Sequence, residues 1–308
     1  MATTTPFGME MAFVGVLGFI IGGFLPTLIY RLAQFRDLAT ETSCPKCGHE
    51  LAFFEEIPGV SRFLLKGKCW HCGEKVKLDY PVKILLRLVA PPAACPQCGD
   101  KLAFLEEIPV ISWVALRARC RHCRARIPLR YPAIEVTNLA LWLLIAWDVG
   151  FHVQLAAFLV AASALVVLFV TDIQMKYTPR EVTIPTTLII AVIFALAAAR
   201  YGEWHRYFVD LAIAAGFLLY GAGLKVFRLP LGSGDVLLMP LIGLILGWLG
   251  YLDAVTAVGL GALYALVWVV VTAVRTRTEI AKVVVSLGAW FALGTLSVMV
   301  FVLGGLSS

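Results

Sequence analysis

Residues 154–172 read QLAAFLVAASALVVLFVTD, with no acidic or basic residue before Asp172. As a helix, this run is long enough to cross a hydrocarbon core of about 30 Å. Outward from it, comparable apolar runs lie at 10–30, 133–150, 182–200, 207–224, 231–250, 253–274 and 282–304, so with 154–171 there are eight. The expected fold is an all-α polytopic membrane protein of about eight transmembrane helices. Composition agrees. Of 308 residues, 60% are apolar and 15% charged, and mean hydropathy is +0.86, against about half and about a quarter for soluble domains. Disorder, a coiled coil and a small disulfide-stapled scaffold are excluded.

The charges are concentrated. Seventeen of the 26 Lys and Arg residues lie between Arg31 and Tyr131. Eight crossings put this segment on the same side as the loops carrying Lys176 and Arg180, Lys225 and Arg228, and Arg275, Arg277 and Lys282. The opposite loops hold only Arg200 and Arg206. Basic loops stay in the cytoplasm, so both termini are expected outside and the 31–132 segment in the cytosol. The stretch before the first span lacks a basic n-region, and no small-residue cleavage site follows it, so a retained anchor is expected. Lys and Arg in the polar segment are interleaved with Glu. Topology and anionic lipid account for them without nucleic acid.

All 8 cysteines fall in that segment, as the pairs Cys44/Cys47, Cys69/Cys72, Cys95/Cys98 and Cys120/Cys123. A shift of 51 residues lays Cys44–Pro81 on Cys95–Pro132 with 19 identities in 38 positions, a tandem duplication. Two C-x-x-C pairs per module match a four-thiolate, zinc-ribbon-like site, and the cytosol disfavours structural disulfides. Two structural Zn²⁺ sites are expected, since four thiolates leave no open coordination position. His71 and His122 sit inside their pairs and are expected to face solvent, because sulfur already fills each site.

Acidic residues are few after the polar segment. Asp172 ends one span and Asp235 begins another, both at the cytosolic face. Two such carboxyls on separate helices can share a proton, one activating water while the other donates to a peptide carbonyl. The plainer alternative is two acids at helix ends or headgroups. Gly232-Ser233-Gly234 before Asp235 lets backbone approach closely. Thr178-Pro179 and Pro185 after Asp172 suggest an irregular, water-accessible lead into the next span.

Taken together these motifs resemble the type IV prepilin peptidases, aspartic membrane proteases with a Gly-x-Gly-Asp motif. The resemblance runs through Gly22-Gly23 to Tyr30-Arg31, the cysteine modules with Ile57-Pro58 to Ser61 and Ile108-Pro109 to Ser112, and Arg130-Tyr131-Pro132 with Glu135. It continues in Asp172 with Pro179, and in Gly232-Ser233-Gly234-Asp235. It implies Asp172 and Asp235 as catalytic acids, with Gly232 and Gly234 as motif backbone. It also implies removal of a basic leader from prepilins or pseudopilins of pilus or type II secretion systems, after a Gly at the inner membrane of a bacterium. Many members also N-methylate the new terminus with S-adenosylmethionine, and Glu135 is by resemblance a supporting or methylation-related residue. Departures from the family are Leu237 for the usual Lys, Glu56 and Glu107 for Asn, and Pro26 for Asn in the first span. A further departure is Glu279-Ile280-Ala281-Lys282 where a Pro-x-Gly-Pro-like stretch normally leads into the last span.

The expected organisation is a first transmembrane helix (1–31), two cysteine modules (32–90 and 91–132) between helices 1 and 2, and a seven-helix peptidase domain (133–308). The alternative function is a catalytically impaired relative that acts through its zinc modules as an interaction protein in pilus or secretion assembly.

Overall fold

The computed structural model describes residues 7–39, 46–47, 66, 68–74, 95, 97–100, 110–226, 232–277, 279 and 285–306. Nine helices occur among them: α1 Phe7–Ala39, α2 Ile111–Ala115, α3 Arg130–Val149, α4 Val153–Met175, α5 Arg180–Tyr201, α6 Trp204–Val226, α7 Ser233–Gly247, α8 Tyr251–Thr276 and α9 Leu287–Leu306. There is no strand among the described residues; an isolated antiparallel bridge joins Arg119 and Arg126. The chain divides into two compact units, Met1–Pro26 with Ala94–Ser308, and Thr27–Ala93.

Seven helices among the described residues are long and apolar enough to cross a membrane: α1, α3, α4, α5, α6, α8 and α9. Their bounds differ from the expected ones by a few residues at most ends.

Two spans need correction. The sixth covers 15 residues, Ser233–Gly247, rather than 231–250, a length of about 22 Å. It stops early because its end is already satisfied. Leu249 and Gly250 donate their N–H groups to Leu246 O, and Arg206 Nη2 donates to Trp248 O at 2.7 Å, filling carbonyls that a helix C-terminus leaves open. The last span begins at Leu287, not 282. Among the described residues, Val285 and Ser286 come directly before it.

Short as it is, α7 lies at the centre of the larger unit, touching α4, α5, α6, α8 and α9. Its sequence VLLMPLIGLILG is apolar on every side, the pattern of a helix surrounded by protein. Leu238, Leu241, Ile242, Ile245 and Leu246 are fully buried.

Glycines set its distance from α6. A Cβ on Gly243 would stand 2.9 Å from Ala214 Cα, and one on Gly221 would stand 3.0 Å from Met239 Cγ. These contacts run the two helices antiparallel, with Gly221 level with Val236 and Met239, and buried Asp210 against Gly247. Small residues also close α8 on α9, where Gly261 and Gly294 meet. Buried polar groups join further spans. Asn138 donates to Gly18 O at 3.2 Å, Ser163 donates to Asn138 Oδ1 at 2.8 Å, and Trp142 Nε1 donates to Ser163 Oγ at 2.9 Å.

Candidate active site

Three helix ends meet at one level: the C-terminus of α4 and the N-termini of α7 and α9. At the first, Lys176 takes a left-handed conformation and its N–H donates to Asp172 O at 2.8 Å. Asp172 lies one turn inside that end and is buried. Its Oδ2 accepts from Ala289 N–H at 2.6 Å, one of the first-turn donors that a helix cannot satisfy internally. Lys176 Nζ donates to Ser286 Oγ at 2.7 Å, tying the same two helix ends together.

Asp235 occupies the third position of α7, after the N-cap Gly232. Its Oδ2 reaches back to Gly232 N–H at 3.2 Å, half of a capping box. Its Oδ1 accepts from Thr178 Oγ1 at 2.8 Å. Gly234 makes that second contact feasible, because a Cβ there would strike Thr178 O and stand 2.8 Å from Thr178 Cβ.

The two acids converge over Gly288. A Cβ at that glycine would lie 2.6 Å from Asp235 Oδ1 and 3.1 Å from Asp172 Oδ2, and would also strike Thr178 Oγ1. The two carboxyl oxygens are therefore separated by no more than about two hydrogen-bond lengths, within reach of a single water molecule. Such a pair can place one protonated and one ionised carboxyl against a peptide.

The irregular backbone after Asp172 is confined to the short linker before α5. Pro179 is the N-cap of α5, and the helix runs on through Pro185. The sequence reading did not single out Thr178 Oγ1, Gly288 or Ala289. Gly288 and Ala289 follow Ser286-Leu287 in an apolar run, and no local pattern there marks either of them.

Glu135 has a separate position. Its Oε2 accepts from Val110 N–H at 2.6 Å, attaching the segment before α2 to α3. Trp113 Nε1 donates to Ile127 O at 3.1 Å within that module.

The cysteine pairs form tight knuckles. Cys69, Cys95 and Cys120 donate their N–H groups to Glu74, Asp100 and Ala125 O, while Gly73, Gly99 and Arg124 donate back to the same cysteines. That return bond needs a left-handed residue after the second Cys, with φ of 69°, 73° and 56°, a conformation glycine adopts without cost. The ligand atoms of Cys95, Cys98, Cys120 and Cys123 lie within 4.8 Å of one another, as do those of Cys47, Cys69 and Cys72. Cys44 lies outside the described residues. Both clusters can hold a metal ion. Cys95 Sγ and Cys123 Sγ are 3.9 Å apart, close to the edge of about 3.8 Å of a zinc tetrahedron with bonds of about 2.3 Å. His71 and His122 are exposed and outside both thiol groups.

Burial resists ionisation of Cys95, yet amides of Cys98 and Gln97 and the thiols of Cys98 and Cys120 bring its pKa down to about 7. At Cys98, the Asp100 amide favours the thiolate, but burial and the neighbouring Cys95, Cys123 and Asp100 prevail and push it up to about 12. Thiols this close titrate as a coupled group, and a metal ion would compete with their protons.

Comparison with known families gives two matches to the Bacterial Peptidase A24 N-terminal domain, over residues 16–86 and 82–149, one for each cysteine module. Among similar proteins, a prepilin leader peptidase/N-methyltransferase of Burkholderia pseudomallei (strain 1026b) is 31% identical over 252 residues, covering 79% of this chain and 71% of the relative. One from Myxococcus xanthus (strain DK1622) is 36% identical over 167 residues, covering 52% and 48%. A third, from Dickeya chrysanthemi, is 29% identical over 306 residues, covering 95% and 93%. No solved structure matches the chain.

Proposed function

The chain belongs to the prepilin leader peptidase/N-methyltransferase family, and from that premise we propose that it cleaves the basic leader from prepilin-like or pseudopilin substrates at the cytosolic face of a bacterial inner membrane. The observation that carries this reading is the convergence of Asp172 and Asp235 over Gly288. Both acids sit at helix ends, at the level where a basic leader leaves the cytosol and an apolar helix enters the bilayer.

The proposed reaction uses one water. An ionised carboxylate of the pair takes a proton as the water oxygen bonds to the scissile carbonyl carbon, and the protonated partner donates to the carbonyl oxygen. The C–N bond then breaks, and a proton returns to the leaving amine. Ala289 N–H, Gly232 N–H and Thr178 Oγ1 hold the carboxyls in place during these steps.

The remaining assignments follow from the same reading. Both termini lie outside, the cysteine modules (32–90 and 91–132) are cytosolic, and residues 133–308 form the peptidase domain. Two structural zinc ions would be held by Cys44, Cys47, Cys69 and Cys72 and by Cys95, Cys98, Cys120 and Cys123. The metal would supply folding free energy to modules too small to fold on apolar burial alone. If the chain also methylates the new N-terminus, S-adenosylmethionine would supply the methyl group.

The test is cleavage of a peptide with a basic leader, a Gly junction and an apolar helix. Asp172→Asn and Asp235→Asn should each lower kcat/KM by about 10³-fold or more. If either variant cleaves at the wild-type rate, or the wild type does not cleave, the peptidase reading is lost.

A further inference from the structure

The linker Lys176–Pro179 leaves α4 just after one acid and delivers a side chain to the other. Thr178 is 4% exposed. It donates to Asp235 Oδ1 across 57 residues of sequence. Its backbone is restricted from both sides. Pro179 holds φ near −71° and disfavours a helical conformation at the residue before it. Gly234 lets Thr178 O and Cβ come closer than any side chain at that position would permit.

The two acids are held unequally. Both carboxyl oxygens of Asp235 accept protein donors, Thr178 Oγ1 and Gly232 N–H. Asp172 accepts only from Ala289 N–H on Oδ2 among the described residues, so its Oδ1 remains open. A carboxyl with one donor can turn about its last torsion, whereas one with a donor on each oxygen cannot. Lys176, which faces Asp172, is the cation beside the pair among the described residues, and its Nζ is directed to Ser286.

We propose that Thr178 is a positioning residue for the peptidase chemistry. Its hydroxyl fixes the plane of the Asp235 carboxyl so that this group faces Asp172 across the space over Gly288. The inference rests on the assignment of Asp172 and Asp235 as the reacting pair. It adds that the strap between α4 and α5 ties the geometry of the second acid to the end of the helix that carries the first.

Full-length protein in proteoliposomes, with the leader–Gly–helix peptide as substrate, provides the test. Thr178→Val keeps the shape and removes the donor, and Thr178→Ser keeps the donor. Val should lower kcat about 10- to 100-fold, the worth of one hydrogen bond to a charged group, with KM within about twofold. Ser should restore kcat to within about threefold of wild type, since it keeps that hydrogen bond. If Val does not fold, the same loss is expected in Thr178→Ala, and Ser remains the deciding variant. Wild-type kcat in Val or Ala overturns the proposal, as does a Ser variant as slow as they are. A wild type that fails to cleave overturns the peptidase reading, and this inference with it.

Discussion

Gly288 has no side chain, and three oxygen atoms from two other segments stand where one would begin. A methyl group there would have to push apart Asp172, Asp235 and Thr178, and both carboxyls are held by hydrogen bonds from helix ends. Gly288→Ala should therefore lower kcat/KM by about 100-fold, the scale of an ångström-sized misplacement of reacting groups, while the protein still folds into the membrane. A kcat/KM unchanged in this variant would show that the space between the acids is not where the peptide reacts. From the sequence, Asp172 and Asp235 could be picked out as two acids at one membrane face. Their partners could not, because Thr178 reaches Asp235 over 57 positions and Ala289 reaches Asp172 over 117. No local pattern marks a backbone N–H as a carboxylate partner at that distance.

At the scale of elements, the cysteine knuckles were the most legible part. C-x-x-C followed by glycine specifies a short turn with a left-handed residue, and Gly73 and Gly99 take that position. Arg124 takes it too, which a non-glycine residue does only at some cost. The second cluster also carries a pH dependence. Cys95 ionises near 7 rather than at the ordinary thiol value of 9. A lowered pKa means that the Cys95 thiolate favours the folded module and that this contribution is lost as pH falls through about 7, while the raised Cys98 value opposes it at higher pH. Zinc competes with protons for the same sulfur, so zinc affinity of the protein should rise steeply from pH 6 to pH 8, by about tenfold per pH unit for each proton displaced. Competition with a metallochromic chelator across that range reads it directly, and a flat profile would argue against a thiolate site. The ends of α7 and α9 were less legible. Hydropathy marks where apolar residues stop. These two helices end where partners from elsewhere, Arg206 and Asp172, satisfy their terminal groups.

For the whole molecule, the arrangement of basic loops makes a prediction about sidedness. A protease site inserted at Gly202, between α5 and α6, should be cut from outside in intact spheroplasts. One inserted at Arg277, after α8, should be cut only after lysis, since basic loops remain in the cytoplasm and exposed loop tips accept insertions. Cutting of both sites from the same side would overturn the eight-crossing topology. The short α7 decides the parity of that count. It falls below the length of an ordinary span, yet it runs antiparallel to α6 from the level of Gly221 to that of Asp210, and Arg206 anchors the turn that follows. The α7 helix thus runs in the direction an eighth crossing needs, although it has only 15 residues.

The amino-acid sequence by itself determined the class of the molecule. Long apolar runs must hydrogen-bond their own backbone in lipid and so become helices, and the repeated thiol pairs form their knuckles through local turns. Tertiary structure decided which oxygen meets which donor. It sent Ala289 N–H to Asp172, Thr178 Oγ1 to Asp235 and Glu135 to Val110 N–H, and left Gly288 bare between the acids. Those choices depend on the depth and spacing of helices distant in the chain. Packing of small residues such as Gly243 against Ala214 sets that spacing, and it can be read only once the helices are in contact.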